Sequence, residues 1–390
     1  MLIVGVDIAK RTHEAIIIDG NGTIIQKPFS FKNTSEGFEE FLLKLNKVSQ
    51  DKENFIIAME STSHYWIAFY SALFRKEYSV KVMNPIQSDA LRNLYIRQVK
   101  TDTRDCFIIA EVIRFGHYSE GSIQSTEYYE LRELCRARTF IVDMCADLKK
   151  KVIALLDQVF PEYETLFADI FGLTSIELLT KCCTPDDIIE IPTEKLADLI
   201  SVPSRKRFGI AKAEEIKNLA QNSFGIVLGI DSMKLLIRQH VEHVKFMENQ
   251  IKEIDDKIIN LFSTFECYIT TIPGIGPILG ATIFSEIGEI SRFSSAAKLA
   301  AFAGIDPTIK QSGEYSSTKN HMSKRGSPYL RRALWQASVR AAMYEPNLKC
   351  FLEKKRAEGK PYMNAIGHVT RKLTNIIYAV LRDKKSYYVR

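Results

Sequence analysis

Asp7 closes a short apolar run, Leu2-Ile-Val-Gly-Val-Asp7, and Glu60 closes a second one, Phe55-Ile-Ile-Ala-Met-Glu60. A carboxylate that follows buried strand residues is costly unless something pairs with it. Taken singly, each could be an exposed strand-end acid; two acids at the ends of two strands of one predicted sheet make a shared site the better reading. Asp102 and Asp105 lie in Lys100-Thr-Asp-Thr-Arg-Asp-Cys106 at the start of a predicted helix, and their spacing of three puts both on one helical face. Acids in a first turn also cap orphan N–H groups and favour the helix dipole, so capping explains this pair equally well when it is taken alone. Together the four acids suit a divalent cation such as Mg²⁺, or Mn²⁺ in its place, which takes oxygen ligands and retains several waters. Two such ions ~4 Å apart can activate a nucleophile and stabilise a leaving oxygen at phosphorus. Clustered carboxylates repel one another, so such a group makes sense with cations beside it.

The elements that would position these acids are legible from periodicity. Leu2–Asp7, Glu14–Asp19 and Thr23–Phe31 are β-rich runs punctuated by Gly20, Asn21 and Gly22, and they read as a three-stranded antiparallel meander. A helix is predicted at about 35–48, where Phe38, Phe41, Leu42 and Leu45 recur at helical spacing. A strand at Phe55–Glu60, a helix at 64–76, a strand at Ser79–Asn84 and helices at about 86–98 and 102–116 follow. The order βββ-α-β-α-β-α builds a mixed sheet with helices on its faces, which is the order of the ribonuclease-H-like fold. The expected fold class is thus α/β plus α, with three regions: 1–120 carrying the acids, a helical 121–265, and a mostly helical 266–390. In the middle region Leu134, Ile141, Leu148 and Leu155 recur every seven residues. Ile237, Val244, Ile251 and Ile258 do the same, with Met247, Ile254 and Leu261 as a second seam. These heptads predict either an antiparallel coiled-coil stalk or two amphipathic helices within a compact domain. Residues 161–230 interrupt them with helical pieces broken by Pro161, Pro185, Pro192 and Pro203.

The charge distribution points to a polyanionic partner. Residues 301–390 hold 18 Lys and Arg against 6 Asp and Glu, whereas the whole chain carries only +6. An acidic body with a basic end is the electrostatic footprint of a nucleic-acid binder, although a solvated basic helical surface would look the same. Lys319, Lys324, Arg325, Arg331, Arg332 and Arg340 are the candidate phosphate contacts. Thr271-Ile-Pro-Gly-Ile-Gly-Pro-Ile-Leu-Gly280 reads as a helix-hairpin-helix turn in which Gly274 and Gly276 would let the backbone approach a phosphate, or as a simple inter-helix turn. Ser312, between Gln311 and Gly313, lies in a polar loop that can expose its hydroxyl, with Ser316 and Ser317 close by; a lone loop serine is ordinarily a turn residue.

The phrases Gly-Val-Asp-Ile-Ala-Lys, Ala-Met-Glu-Ser-Thr and Lys-Thr-Asp-Thr-Arg-Asp, with Asp7, Glu60, Asp102 and Asp105 in D-E-D-D order, resemble the RuvC-like domain of the "one-ten" insertion-sequence transposases. These are DEDD-type enzymes related to the pilin-gene inverting recombinases. The likeness resumes at Ile272–Gly280, Ala303-Gly-Ile-Asp-Pro307, Gln311-Ser-Gly313 and Ser323-Lys-Arg-Gly-Ser-Pro-Tyr-Leu-Arg-Arg332, which look like the C-terminal transposase domain. The insertion at 161–230 matches nothing in that pattern. The resemblance implies a recombinase that cleaves and rejoins DNA through a phosphoserine intermediate, with Ser312 at the nucleophile's position. It also implies an Mg²⁺ site at the four acids, a bridge RNA as guide, donor and target DNA as substrates, and dimers that pair into tetramers. One composite centre of serine and acids would give the two distant motifs a shared task. A serine hydroxyl is a weak nucleophile until it is deprotonated or metal-activated. Phosphoserine chemistry stores the phosphodiester energy for rejoining.

Other readings stay open on the residues alone. A RuvC-like nuclease or junction resolvase would use the same four acids with water as nucleophile and make Ser312 irrelevant. An actin-like or sugar-kinase ATPase would need a further glycine-rich phosphate turn, which the sequence lacks. A non-catalytic nucleic-acid-binding protein would have no use for four acids. His13, His64, His117, His240, His243, His321 and His368 form no metal-site spacing, and seven Cys without a CxxC pair read as buried cytoplasmic thiols. His321 is a base candidate by proximity to Ser312. Tyr65 and Trp66 read as sheet packing. No apolar run reaches the ~18 residues of a membrane span, and the first residues read as a strand rather than a signal peptide. A cytoplasmic enzyme with no membrane contact is expected.

Overall fold

The computed structural model describes residues 1–61, 63–92, 102–116, 126–308, 311–312, 315–316 and 321–388, and for residues 86, 102, 103, 311, 312, 315 and 316 the backbone only. Two compact units divide the chain at Ile123 and Gln124.

Unit one runs β1 (Leu2–Asp7), β2 (Thr12–Asp19), β3 (Ile24–Lys32), α1 (Ser35–Val48), β4 (Phe55–Glu60), α2 (Trp66–Arg75), β5 (Ser79–Met83), α3 (Pro85–Arg92) and α4 (Asp102–Arg114). This is the element order expected from the hydrophobic pattern. The helix expected to reach residue 98 is described only as far as Arg92. The five strands form one sheet in the order β3-β2-β1-β4-β5. The first three are antiparallel neighbours, and β1, β4 and β5 run parallel. Side chains alternate between the two faces. On one face Val4, Val6, Ile17 and Ile57 pack with Phe41 and Leu45 of α1 and Phe69 and Leu73 of α2. On the other, Ile3, Ile16, Ile18, Ala58 and Met83 pack with Cys106, Ile109, Ala110 and Ile113 of α4.

Gly5 is what lets α4 lie directly on the sheet. A Cβ at Gly5 would stand 2.0 Å from the Cys106 carbonyl oxygen and 2.8 Å from the Ala110 nitrogen. No side chain fits that gap, and the neighbouring atoms are backbone that cannot rotate away. The central strand is therefore pinned to the helix that carries two of the predicted acids.

Unit two is almost wholly helical: α5 (Thr126–Val159), α6 (Leu173–Lys181), α7 (Pro185–Glu190), α8 (Thr193–Ser201), α9 (Ile210–Gln221), α10 (Ile230–Phe262), α11 (Pro277–Ile287), α12 (Ala296–Ala303), the short strands β6 (Gln311–Ser312) and β7 (Tyr315–Ser316), α13 (Pro328–Tyr344), α14 (Pro346–Ala357) and α15 (Tyr362–Asp383). The long helices α5 and α10 lie antiparallel. Arg138 pairs with Asp255 and Lys149 with Glu248, so early residues of one meet late residues of the other. Their two ends enter different cores. Leu131 and Cys135 join Ile258 and Phe262 in a core built with α11 to α15. Val152, Leu156 and Val159 join Ile237 and Val241 in a core closed by the 161–230 segment. The heptad residues Ile237, Val244 and Ile258 of α10 are buried as expected, whereas on α5 the deepest positions are Leu131, Cys135, Cys145, Val152 and Leu156. Leu134, Ile141, Leu148 and Leu155 flank that seam, half-buried.

The insertion is a cap whose core includes the ends of α5 and α10. Tyr163, fully buried, donates its hydroxyl to the Ser175 carbonyl at 3.2 Å and lies 2.8 Å from the Ser175 hydroxyl. Thr184 and Asp187 form a capping box at the start of α7, and Lys234 of α10 reaches Asp187 at 2.6 Å, tying the cap to the long helix pair. Among the described residues no helix is long and apolar enough to cross a membrane.

Candidate active site and nucleic-acid interface

In unit one the strand ladder sets the acids. The parallel register Val6 to Met59 brings the next residues, Asp7 and Glu60, side by side at the carboxyl ends of β1 and β4. Alternation from Gly5 and Ala58 points both toward the α4 face. The antiparallel register places Glu14 of β2 directly opposite Asp7, and Glu14 shares its face with Ile16 and Ile18. Glu14 also accepts a hydrogen bond from the Ser30 hydroxyl at 2.8 Å. Three carboxylates from three adjacent strands thus end at one edge. Glu14 escaped the sequence reading because it opens a strand rather than closing one; the hairpin register through Gly20–Gly22 is the signal that pairs it with Asp7.

The opening turn of α4 reaches the same edge. Burial, and then the charges of Glu14 and Asp7, push the Cys106 thiol up to about 12, so both acids lie close to that turn. Asp105, buried, is held by Arg92 at 2.9 Å, and the same guanidinium holds Asp89. Arg92 was not foreseen as its partner. Asp102 opens the helix, and its side chain lies outside the described residues. Among the described residues no group of three or more His, Cys, Asp or Glu is arranged to hold a metal ion. The donors available at this edge are carboxylates, the ligand class a hard divalent cation takes.

In unit two Ser312 lies on a hairpin. Gln311 pairs with Ser316 and Ser312 with Tyr315 in an antiparallel register. Below it Pro307 and Met322 form a bridge, and the Thr308 N–H donates to the His321 carbonyl at 2.8 Å. The base is closed further where Lys324 N–H meets the Gly304 carbonyl at 3.0 Å and Ser327 N–H the Phe302 carbonyl at 3.0 Å. A Cβ on Gly326 would come within 1.8 Å of the Phe302 oxygen, so this crossing needs glycine. The side chains of Ser312 and Ser316, and residues Ser317 and Lys319, lie outside the described residues.

The predicted phosphate contacts separate into two kinds. Lys324 and Arg325 are exposed and make no side-chain hydrogen bond or ion pair among the described residues. Arg331 turns inward, its guanidinium donating to the Ala303 carbonyl at 3.2 Å and approaching the Gly326 carbonyl at 3.5 Å. Arg332 forks onto Asp143 at 2.6 and 2.7 Å. Arg340 is exposed on the rim of a groove of about 470 Å³ between α5, α11 and α13 that Trp335 and Tyr329 also line. The Pro-Gly-Ile-Gly turn is used for packing as well: Gly274, at φ 91°, backs onto α13, where a Cβ would meet the Ala341 nitrogen at 2.6 Å. Gly276 stands open at the start of α11, with nothing within 4 Å of a Cβ.

These features agree with what the chain is similar to. A transposase model of the IS110 DEDD type matches residues 4–161, which include all four predicted acids, and the transposase IS116/IS110/IS902 family matches residues 267–353, which include the serine hairpin. The 44.8 kDa protein of insertion element IS116 from Streptomyces clavuligerus is 24% identical over 98% of this chain and 95% of its own length. A pilin gene-inverting protein of Moraxella bovis is 22% identical over 98% of this chain and 97% of its own. A transposase of insertion sequence element IS1328 from Yersinia enterocolitica reaches 30% identity over 39% of this chain and 43% of its own. The fold and matches define a DNA transposase, an enzyme of DNA recombination. The chain belongs to the IS110 family of insertion-sequence transposases.

Proposed function

We propose that this transposase cuts and rejoins DNA through a serine ester at Ser312, assisted by a divalent cation at the acid edge and guided by a noncoding bridge RNA. The observation that carries the metal part is the placement of Asp7 and Glu60 on neighbouring parallel strand ends, on the face that α4 covers with its acidic first turn. Unit one is then a RuvC-like domain, α5 and α10 a coiled-coil pair, and the remainder a transposase domain. Asp7, Glu60, Asp102 and Asp105 would hold Mg²⁺ or Mn²⁺, which supplies Lewis-acid activation at phosphorus. The Ser312 oxygen bonds to phosphorus, one DNA phosphate–oxygen bond breaks, the serine proton passes to a base, and the departing strand oxygen takes up a proton. The reverse attack by a different strand's hydroxyl releases Ser312 and joins the new strand, with no nucleotide hydrolysed. A hairpin in a connecting segment suits the nucleophile, because catalytic residues are often carried on loops positioned by a rigid scaffold. Donor and target DNA, the guide RNA and a homodimer or homotetramer are the partners of this reading.

The test is purification with co-expressed flanking noncoding RNA, followed by trapping of a covalent adduct on nicked donor and target DNA. Wild type should yield an adduct whose linkage maps to Ser312, and Ser312→Ala should yield neither adduct nor recombinant. Full recombination by Ser312→Ala overturns the serine mechanism. Cleavage that needs the four acids but leaves no adduct replaces it with a water-using, RuvC-like metal-dependent nuclease or junction resolvase.

A further inference from the structure

Three guanidiniums gather about one buried carboxylate in unit two. Glu286, in the last turn of α11, accepts from Arg136 Nε at 2.6 Å and Nη2 at 3.1 Å, and from the Ser327 hydroxyl at 2.7 Å. Arg136 and Ser327 thus supply the hydrogen bonds that this carboxylate accepts among the described residues. Arg132, one turn earlier on α5, has a buried Nε–H with no hydrogen-bond acceptor among the described residues. Arg292, just beyond α11, lies over the rings of Phe293 and Phe302 at 4.7 and 4.5 Å and makes no hydrogen bond or ion pair among the described residues. Glu133 is the other acid within reach, but it is exposed and stands 3.9 Å from Arg132 and 4.0 Å from Arg136. Positive charge is therefore in surplus around Arg132 and Arg292. Loss of water around its guanidinium and then the charge of Arg132 hold Arg292 down to about 10, although the residue as a whole is exposed, and burial and the charge of Arg136 lower Arg132 as well.

We infer that Arg132 and Arg292 form a seat for a nucleic-acid phosphate beside the base of the serine hairpin. An anion there would offset the surplus charge and accept from the guanidinium of the exposed Arg292, which has no acceptor of its own among the described residues. Guanidinium forks match phosphate oxygens, and the flat aromatic supports beneath them fix their planes. Tyr129 carries Arg132 at 5.4 Å, Tyr329 carries Arg136 at 4.9 Å, and the two phenyl rings carry Arg292. The seat is wired to the hairpin base. Phe302, under Arg292, accepts the Ser327 N–H, and the Ser327 hydroxyl is the one that bonds Glu286. The exposed Lys324 and Arg325 belong to the same turn. The phosphodiester is common to a DNA substrate and a guide RNA, and the inference rests on the reading that this chain acts on nucleic acid.

The experiment measures binding of the full chain to fluorescently labelled single-stranded DNA, duplex DNA and RNA between about 50 and 200 mM salt. Arg292→Gln and Arg132→Gln should each weaken binding alike across sequences and flatten the salt slope by about 1. The exposed Arg205→Gln in the insertion serves as control and should leave both unchanged. Loss confined to RNA assigns the seat to the guide, and loss confined to DNA assigns it to the substrate. Both variants folded, by an unchanged melting temperature, with an unchanged slope overturn the seat while leaving the transposase reading intact. Wild type that binds none of the three probes overturns the nucleic-acid reading and the seat with it.

Discussion

Asp7 and Glu14 stand opposite each other across the antiparallel β1–β2 ladder, and the charges of both raise the pKa of one thiol, that of Cys106 in α4. Like charges placed directly opposite on a sheet face are destabilising. With Glu60 at the adjacent strand end, the edge concentrates carboxylates from three neighbouring strands. Asp7→Asn and Glu60→Gln keep the shape of each side chain and should leave the chain folded while lowering strand cleavage by about 100-fold. Thermal melting alongside cleavage of labelled donor DNA checks this; a large loss of stability in either variant would make the acid a structural partner instead.

The same edge depends on a glycine that carries no chemistry. Gly5→Ala forces its Cβ into the Cys106 carbonyl, so β1 and α4 must separate. Overpacking against backbone should cost about 3 kcal/mol, and the displaced helix should carry Asp102 and Asp105 away from the strand ends. Chemical denaturation gives the first quantity and cleavage at a temperature where the variant is still folded gives the second. A variant of wild-type stability would mean that the sheet and α4 do not pack as closely as described.

The positions of Asp7 and Glu60 at strand ends and of Asp102 at a helix start were legible because apolar runs stop at the first two and a polar turn stands ahead of Cys106. Glu14 was not, since its importance comes from register, which emerges only when two strands are paired. The α10 seam was readable from Ile237, Val244 and Ile258. On α5 the buried Cys135 and Cys145 are weak hydrophobic signals beside Leu and Ile, so the heptad of Leu134, Ile141, Leu148 and Leu155 falls next to the buried line rather than on it. Glu286 and its arginines were invisible for a further reason. Arg136 and Glu286 are 150 positions apart, and no periodicity links residues that meet only through tertiary packing. Among the basic candidates, composition could not separate the exposed Lys324 and Arg325 from Arg331, which the fold turns inward.

The cap formed by the insertion should respond to acid. Burial works against the charge of Asp187, but hydrogen bonds from Lys234 and Thr184 outweigh it and hold its carboxyl below the ordinary value. A carboxyl depressed in the folded state contributes stability above its unfolded pKa of about 3.9, and that contribution is lost as pH falls through the lower, folded value. Asp187→Asn should thus lower the melting temperature at neutral pH and have little effect near the folded pKa. An equal penalty at both pH values would assign the loss to packing.

Arg331 and its neighbours Lys324 and Arg325 offer the sharpest contrast within one basic segment. The Arg331 guanidinium donates to the Ala303 carbonyl and sits against the Gly326 carbonyl, so it braces the end of α12 against the hairpin base. Arg331→Met leaves a buried carbonyl without its charged donor and should cost about 1–3 kcal/mol of stability. Because that cation is already committed inside the fold, the salt slope of nucleic-acid binding should stay as in wild type. Lys324→Gln and Arg325→Gln should do the opposite: an unchanged melting temperature and a slope reduced by about 1 for each phosphate no longer neutralised. Measuring both quantities on all three variants separates a cation that holds the hairpin in place from cations that hold the strand it acts on. An Arg331→Met chain of wild-type stability with a reduced slope would reverse the assignment.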